Sequence, residues 1–183
     1  MPDTALLVMD VQEGIVERFE AAAPYLERLR AAISAARGAG VPVIYVRVAF
    51  RPGFPEVSPR NRSFSAIKER SASLAKGAIH PALAPEEGDV IVTKLRTSAF
   101  TGSHLEVLLR AQGIQTLVLT GIATSGVVLS TLREAADRDY RLEVLSDGCL
   151  DADAEVHRVL TEKVFPRQAD VISIDEWVRR LQG

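Results

Sequence analysis

The chain has 183 residues, 47% of them hydrophobic, and a formal net charge of −2. That length favours one domain, residues 1–183, with a full apolar core, and the near-neutral charge gives no footing for nucleic acid or an anionic membrane surface as partner. The single cysteine, Cys149, excludes an intramolecular disulfide, and the start Met1-Pro-Asp-Thr4 has no basic region and no apolar run of signal-peptide or membrane-spanning length, so a soluble, cytoplasmic protein is expected.

Short apolar runs alternate with amphipathic stretches. The runs at 5–10, 43–48, 90–93, 116–120 and 142–145, with a weaker one at 170–174, are mostly rich in Val, Ile and Leu without strict alternation. Strands covered on both faces read this way. After the first run, residues 24–39 place Leu26, Leu29, Ile33 and Ala36 at helical spacing and stop at Gly38 and Gly40. Residues 50–63 and 71–89 break the rhythm with Pro, Gly and Arg. Loops of that length in a compact domain usually carry function or touch another subunit. Ser103-His-Leu-Glu106 spells a capping box ahead of Leu105, Leu108 and Leu109, with Gly113 as the stop. Residues 125–138 put Val128, Leu132 and Ala135 on one face, and 153–163 and 175–181 complete the helices. The alternation predicts an α/β fold: a parallel sheet with right-handed crossovers and helices on both faces.

Three apolar runs end in chemistry. Asp10 closes the first, Lys94 closes the run at 90–93, and the run at 116–120 opens into Gly121-Ile-Ala-Thr-Ser-Gly126. Open parallel sheets bind ligands at the C-terminal ends of their strands. Asp10 suits a general acid or base, with a helix N-cap as its plain alternative. A lysine ending a buried strand needs a partner, and adjacent strands would bring Lys94 within ion-pair range of Asp10, each tuning the other's titration. The turn after the fourth run offers helix N-terminal N–H groups to an anion or oxyanion. Gly126 would allow close approach of a substrate. Arg47, Arg51 and Arg96 suit a substrate carboxylate, because the guanidinium presents a planar fork. His80, His104 and His157 show no metal-ligand spacing, so no metal is expected. No histidine base lies in sequence reach of Thr124 or Ser125, which argues against either as a nucleophile. Cys149, alone past a strand, reads as a small buried hydrophobe.

Together Leu7-Val-Met-Asp-Val-Gln12, Lys94-Leu-Arg-Thr-Ser-Ala-Phe100, Gly121-Ile-Ala-Thr124 and Thr131-Leu-Arg-Glu-Ala135, continuing into Asp147 and the 151–157 stretch, resemble the isochorismatase-like hydrolases. The resemblance implies a three-layer α/β/α fold with a six-stranded parallel sheet, order 3-2-1-4-5-6. It implies an Asp-Lys-Cys site in which Asp10 and Lys94 match the first two members and Val127 stands at the cysteine position. A cis peptide is implied at Ile122–Ala123, so that Ile122, Ala123 and Val127 form the oxyanion turn. Gln12, Arg47, Arg96, Phe100, Ser125 and Gly126 are expected to bind substrate. The metal-binding residues of nicotinamidases have no match in 45–49, so nicotinamidase is disfavoured and no cofactor is expected. Isochorismatases share the missing thiol but carry Gly at the Val127 position and an aromatic residue at the Ala123 position. The leading reading is a hydrolase of a small molecule, with Asp10 as acid/base and Lys94 as its electrostatic partner, cleaving a vinyl ether or a C–N bond. An inactivated binding protein on the same fold and an amidohydrolase using Cys149 are the alternatives. A homodimer or homotetramer is expected.

Overall fold

The computed structural model describes residues 3–70, 77–83 and 85–182. β1 (Thr4–Met9) is buried along its whole length. A 3₁₀ turn (Val16–Arg18) leads to α1 (Ala22–Gly38), β2 (Val43–Val48) and α2 (Arg62–Arg70). β3 (Val90–Lys94), α3 (Leu105–Ala111) and β4 (Thr116–Ile122) follow. A π-helical turn, Thr124–Val128, runs directly into α4 (Leu129–Ala136). Then come β5 (Arg141–Leu150), α5 (Ala154–Val159), which continues through a second π turn to Val164, β6 (Asp170–Ile172) and α6 (Ile174–Gln182).

All six strands are parallel, in the order β3-β2-β1-β4-β5-β6, as the resemblance implies. Strand order reverses at β1, which pairs β2 on one side and β4 on the other. Open parallel sheets bind ligands beside such a reversal, and Asp10 and the turn at 122–127 follow the C-terminal ends of β1 and β4. Side chains alternate between two cores. Leu6, Val8 and Tyr45 face α1 and α6, where Leu29, Ile33, Ile174 and Trp177 pack. Leu7, Met9, Val46 and Val92 face α3 and α4, meeting Leu105, Leu109 and Leu132. Each fully buried large aliphatic contributes about 1.5–3 kcal/mol, so the sheet under the crevice is rigid.

One local expectation changes, the capping box, and the two loop segments are placed in part. The loop at 50–63 runs into α2, which shares only residues 62–63 with it and puts Phe64 against Val48 and Phe50 in a small satellite core. Of the stretch 71–89, residues 71–76 and 84 lie outside the described residues. The capping box does not close. Ser103 Oγ accepts from Leu105 N at 3.1 Å and donates to Ala99 O at 2.6 Å, while Glu106 turns away to Arg110 at 2.8 Å, because two arginines attract its carboxylate more strongly than one backbone N–H. None of the described helices is long and apolar enough to cross a membrane.

Candidate active site

Asp10 follows the last residue of β1 and takes a left-handed backbone conformation, φ 56°. Aspartate tolerates that region better than most residues. The chain turns away there, and the carboxylate stands over the strand end, 7% exposed. Lys94, 1% exposed, ends β3. The two strands are not adjacent, contrary to the expectation drawn from Asp10 and Lys94 alone but in keeping with the implied order 3-2-1-4-5-6. β2 lies between them, and Lys94 reaches across its end to place Nζ 2.9 Å from Asp10 Oδ2. Two strand spacings of about 4.8 Å are bridged by an extended lysine and a short aspartate.

The Lys94 ammonium also donates to Arg96 O at 2.8 Å and Thr97 O at 3.0 Å. An ammonium has three N–H groups, and all three are engaged. Lys94 therefore has no proton to offer a substrate; it binds one oxygen of Asp10 and leaves the other. That other oxygen, Oδ1, is buried without a partner among the described residues. Burial raises the Asp10 carboxyl above the usual carboxylate range, and Lys94 opposes the rise. The site thus contains one buried, unpartnered oxygen on a carboxyl whose titration is raised by burial.

The turn after β4 follows the strand that pairs with β1. Met9 and Gly121 are in register across β1 and β4, so Asp10 and Ile122 follow side by side. The Ile122–Ala123 peptide is cis. Gly126 N donates to Ala123 O at 3.0 Å, and a Cβ at Gly126 would meet only Ala123 Cβ, at 3.8 Å, so its face is open. Ser125 is exposed, and its N–H donates to Asp151 Oδ2 at 2.7 Å. Val127 is buried among the α3/α4 core residues and presents only methyl groups.

The other expected binding residues divide. Gln12 is wholly buried, and both its amide atoms are spent on the end of β2: Nε2 donates to Val48 O at 3.0 Å and Oε1 accepts from Val48 N at 2.7 Å. It braces the end of β2 beside Asp10 with one donor and one acceptor. Phe100 packs in the core against Tyr140, ring centroids 6.1 Å apart, with the Arg138 guanidinium 4.8 Å above its ring. Arg47 donates to Thr93 Oγ1 at 3.1 Å, and Arg96 to Leu95 O and Glu56 O at 2.6 and 3.0 Å, over the ring of Phe64. Neither has a carboxylate partner among the described residues, whereas exposed Arg51 faces Glu56 at 3.5 Å.

Cys149 is in register with Gly121, 4% exposed. Burial pushes its thiol up to about 12, against the Gly121 backbone contact, and Asp147 adds to the rise. That is the opposite of a reactive thiolate. The sequence reading missed one contact: the wholly buried Thr124 places Oγ1 2.8 Å from His157 Nδ1, so a histidine does reach the turn. No cluster of three metal-ligating side chains occurs among the described residues. A cleft of about 740 Å³ lies at the opposite edge of the sheet, around Thr4, Thr116 and Arg141; it is far from the Asp10 crevice, and its Arg141 is paired with Asp3.

Comparison with known proteins decides the lineage. The isochorismatase domain model matches residues 4–176. The chain belongs to the isochorismatase family. It is 36% identical over 198 aligned positions to the ureidoacrylate amidohydrolase RutB of Stutzerimonas stutzeri, covering 94% of this chain and 76% of that protein. A solved isochorismatase family protein from Burkholderia thailandensis superposes with a TM-score of 0.88 at 29% identity, over 100% of this chain and 97% of that one. A cysteine hydrolase from Pseudomonas syringae pv. phaseolicola superposes at 0.89 and 26% identity, over 98% and 92%. The chain is an isochorismatase-family hydrolase on the family's α/β fold.

Proposed function

We propose that this protein hydrolyses a C–N bond of a small amide or carbamoyl compound with water as the nucleophile, Asp10 as the proton-transfer group, and no covalent enzyme intermediate. The observation that carries the reading is the Asp10 carboxylate: Oδ2 fixed by Lys94 at 2.9 Å, Oδ1 buried and unpartnered. Amidohydrolase relatives support the C–N bond as target. By the motif match, Val127 stands where the thiol members of the family carry cysteine, and Cys149 is too basic and too buried to replace it.

In this mechanism a water donates a hydrogen bond to Asp10 Oδ1. Ionised Asp10 takes its proton as the oxygen adds to the substrate carbonyl carbon, and the oxyanion that forms lies against the backbone of the 122–127 turn. Asp10 then returns the proton to the departing nitrogen as the C–N bond breaks. Lys94 holds the carboxylate in one orientation and stabilises its charged form. Arg47 and Arg96, half-buried cations without a carboxylate partner among the described residues, suit an acidic group on the substrate. Binding is to a small molecule; neither nucleic acid nor membrane enters the reading.

One observation favours a second reaction on the same residues. The raised Asp10 carboxyl also suits a proton donor, which would protonate the carbon of a vinyl ether and leave an oxocarbenium for water to trap. The pH profile separates the two. A base must be ionised, so activity falls on the acid side; an acid must be protonated, so activity falls on the alkaline side. A screen of ureido acids, N-carbamoyl amines, simple amides and enol ethers, with Asp10→Asn as control, tests the proposal. Asp10→Asn should lose on the order of 10²–10⁴-fold in kcat. Turnover unchanged in that variant would remove Asp10 from the chemistry, and a tight ligand without turnover would make the protein a binder.

A further inference from the structure

We propose that His157 is a positioning residue of this site, holding the 122–126 turn in place through the hydroxyl of Thr124. The inference rests on the reaction proposed above, because it assigns the turn a part in that chemistry. Two side chains from the segment after β5 grip the turn. Asp151 Oδ2 accepts the Ser125 N–H at 2.7 Å, and His157 Nδ1 lies 2.8 Å from Thr124 Oγ1. Asp153 starts α5 by accepting from Glu155 N and Val156 N at 2.8 and 3.2 Å, which sets the ring of His157 one turn along. Thr161 Oγ1 donates to the His157 carbonyl at 2.9 Å and secures the helix behind it.

Thr124 is wholly buried and His157 is its side-chain partner. Burial lowers the His157 imidazole below its usual range, against the pull of Asp151, so the ring is neutral at neutral pH. A neutral ring protonated at Nε2 accepts the Thr124 hydroxyl proton at Nδ1. The first residue of the π turn is thereby fixed to a separate helix, two residues past Ile122, which lies beside Asp10. Releasing the bond would let the turn drift by a fraction of an ångström relative to the carboxylate, a displacement that proximity-dependent reactions feel strongly.

The test is a double-mutant cycle on the whole protein, using whichever carbamoyl or amide substrate the screen finds. Thr124→Val and His157→Leu should each lower kcat on the order of ten- to a hundredfold with KM within a factor of two. The double variant should be no slower than the worse single one. His157→Asn, whose side-chain amide can occupy the Nδ1 position, and Thr124→Ser should recover most of the rate. A second readout needs no substrate: ¹⁵N shifts of the ring should show Nδ1 as the unprotonated nitrogen in the parent, with that preference lost in Thr124→Val. Multiplicative losses in the cycle, loss confined to KM, or ring shifts indifferent to Thr124→Val would each overturn the proposal. Its failure is separable from that of the reaction itself, since Asp10→Asn reports on the chemistry whatever His157 does.

Discussion

Lys94→Met is the most searching perturbation of this fold. It removes an ammonium that is almost fully buried and leaves three acceptors facing a thioether: Asp10 Oδ2 and the carbonyls of Arg96 and Thr97. The two carbonyls set a pH-independent loss of about 1–3 kcal/mol, the ordinary cost of buried unpaired acceptors. The carboxylate adds a pH-dependent part. In the parent, burial raises the Asp10 carboxyl and Lys94 opposes the rise; without Lys94 it rises further. A folded-state value above the unfolded one, about 3.9, means the folded chain holds the proton more tightly. Stability is then complete below the unfolded value and is lost as pH climbs through the folded one. Breaking one side of a buried pair costs about 3–5 kcal/mol, so urea denaturation should show a loss of that order at pH 8 and a smaller one at pH 5. Asp10→Asn/Lys94→Met should recover the pH-dependent part. Equal losses at both pH values, or a loss at pH 8 below about 1 kcal/mol, would refute the claim that the pair is coupled and buried.

Other perturbations probe separate parts of the structure. A Cβ at Gly121 would sit 2.2 Å from Met9 O and 2.9 Å from Met9 Cβ, at φ +144°, so Gly121→Ala must push β1 and β4 apart by about 1 Å to reach ordinary contact; chemical denaturation should show a loss of at least 1–3 kcal/mol and kinetics a fall of about a hundredfold in kcat. With its thiol near 12, Cys149 should resist iodoacetamide at pH 8 in the folded protein and react in urea, read by mass spectrometry, and alkylating conditions should leave turnover intact. Light scattering should give a mass of two or four times 19.9 kDa; a purely monomeric species would remove the expected oligomer.

The sequence disclosed the fold because both-face burial leaves a strong trace. Residues 43–46 and 117–119 are buried, largely aliphatic cores of their strands, and the helices between them repeat at helical spacing. Asp10 and Lys94 were legible for a related reason: a charge ending such a run is costly unless used. Their geometry was not. Nothing local in either segment says that β2 would lie between them, since strand order is set by crossovers distributed over the whole chain. The roles of Gln12 and Phe100 were hidden too. A glutamine beside a site reads as a ligand contact until a strand end 36 positions away claims both its polar atoms, and a phenylalanine in a site motif reads as lining until Tyr140 and Arg138 enclose it. The Thr124–His157 bond joins residues 33 apart, a distance across which residue type alone predicts no contact.

The Gln12 side chain decides how β2 ends beside Asp10. A carboxamide is a peptide group in miniature, with one carbonyl and an N–H in the same plane. By bonding both the N–H and the C=O of Val48, it supplies the rung that the next residue of β1 would have supplied, while the main chain has already departed at Asp10. The edge of β2 is therefore terminated by a surrogate strand made of one side chain. Glutamate would lack the donor and asparagine the reach, so the ending of β2 beside Asp10 hangs on a single amide of one length.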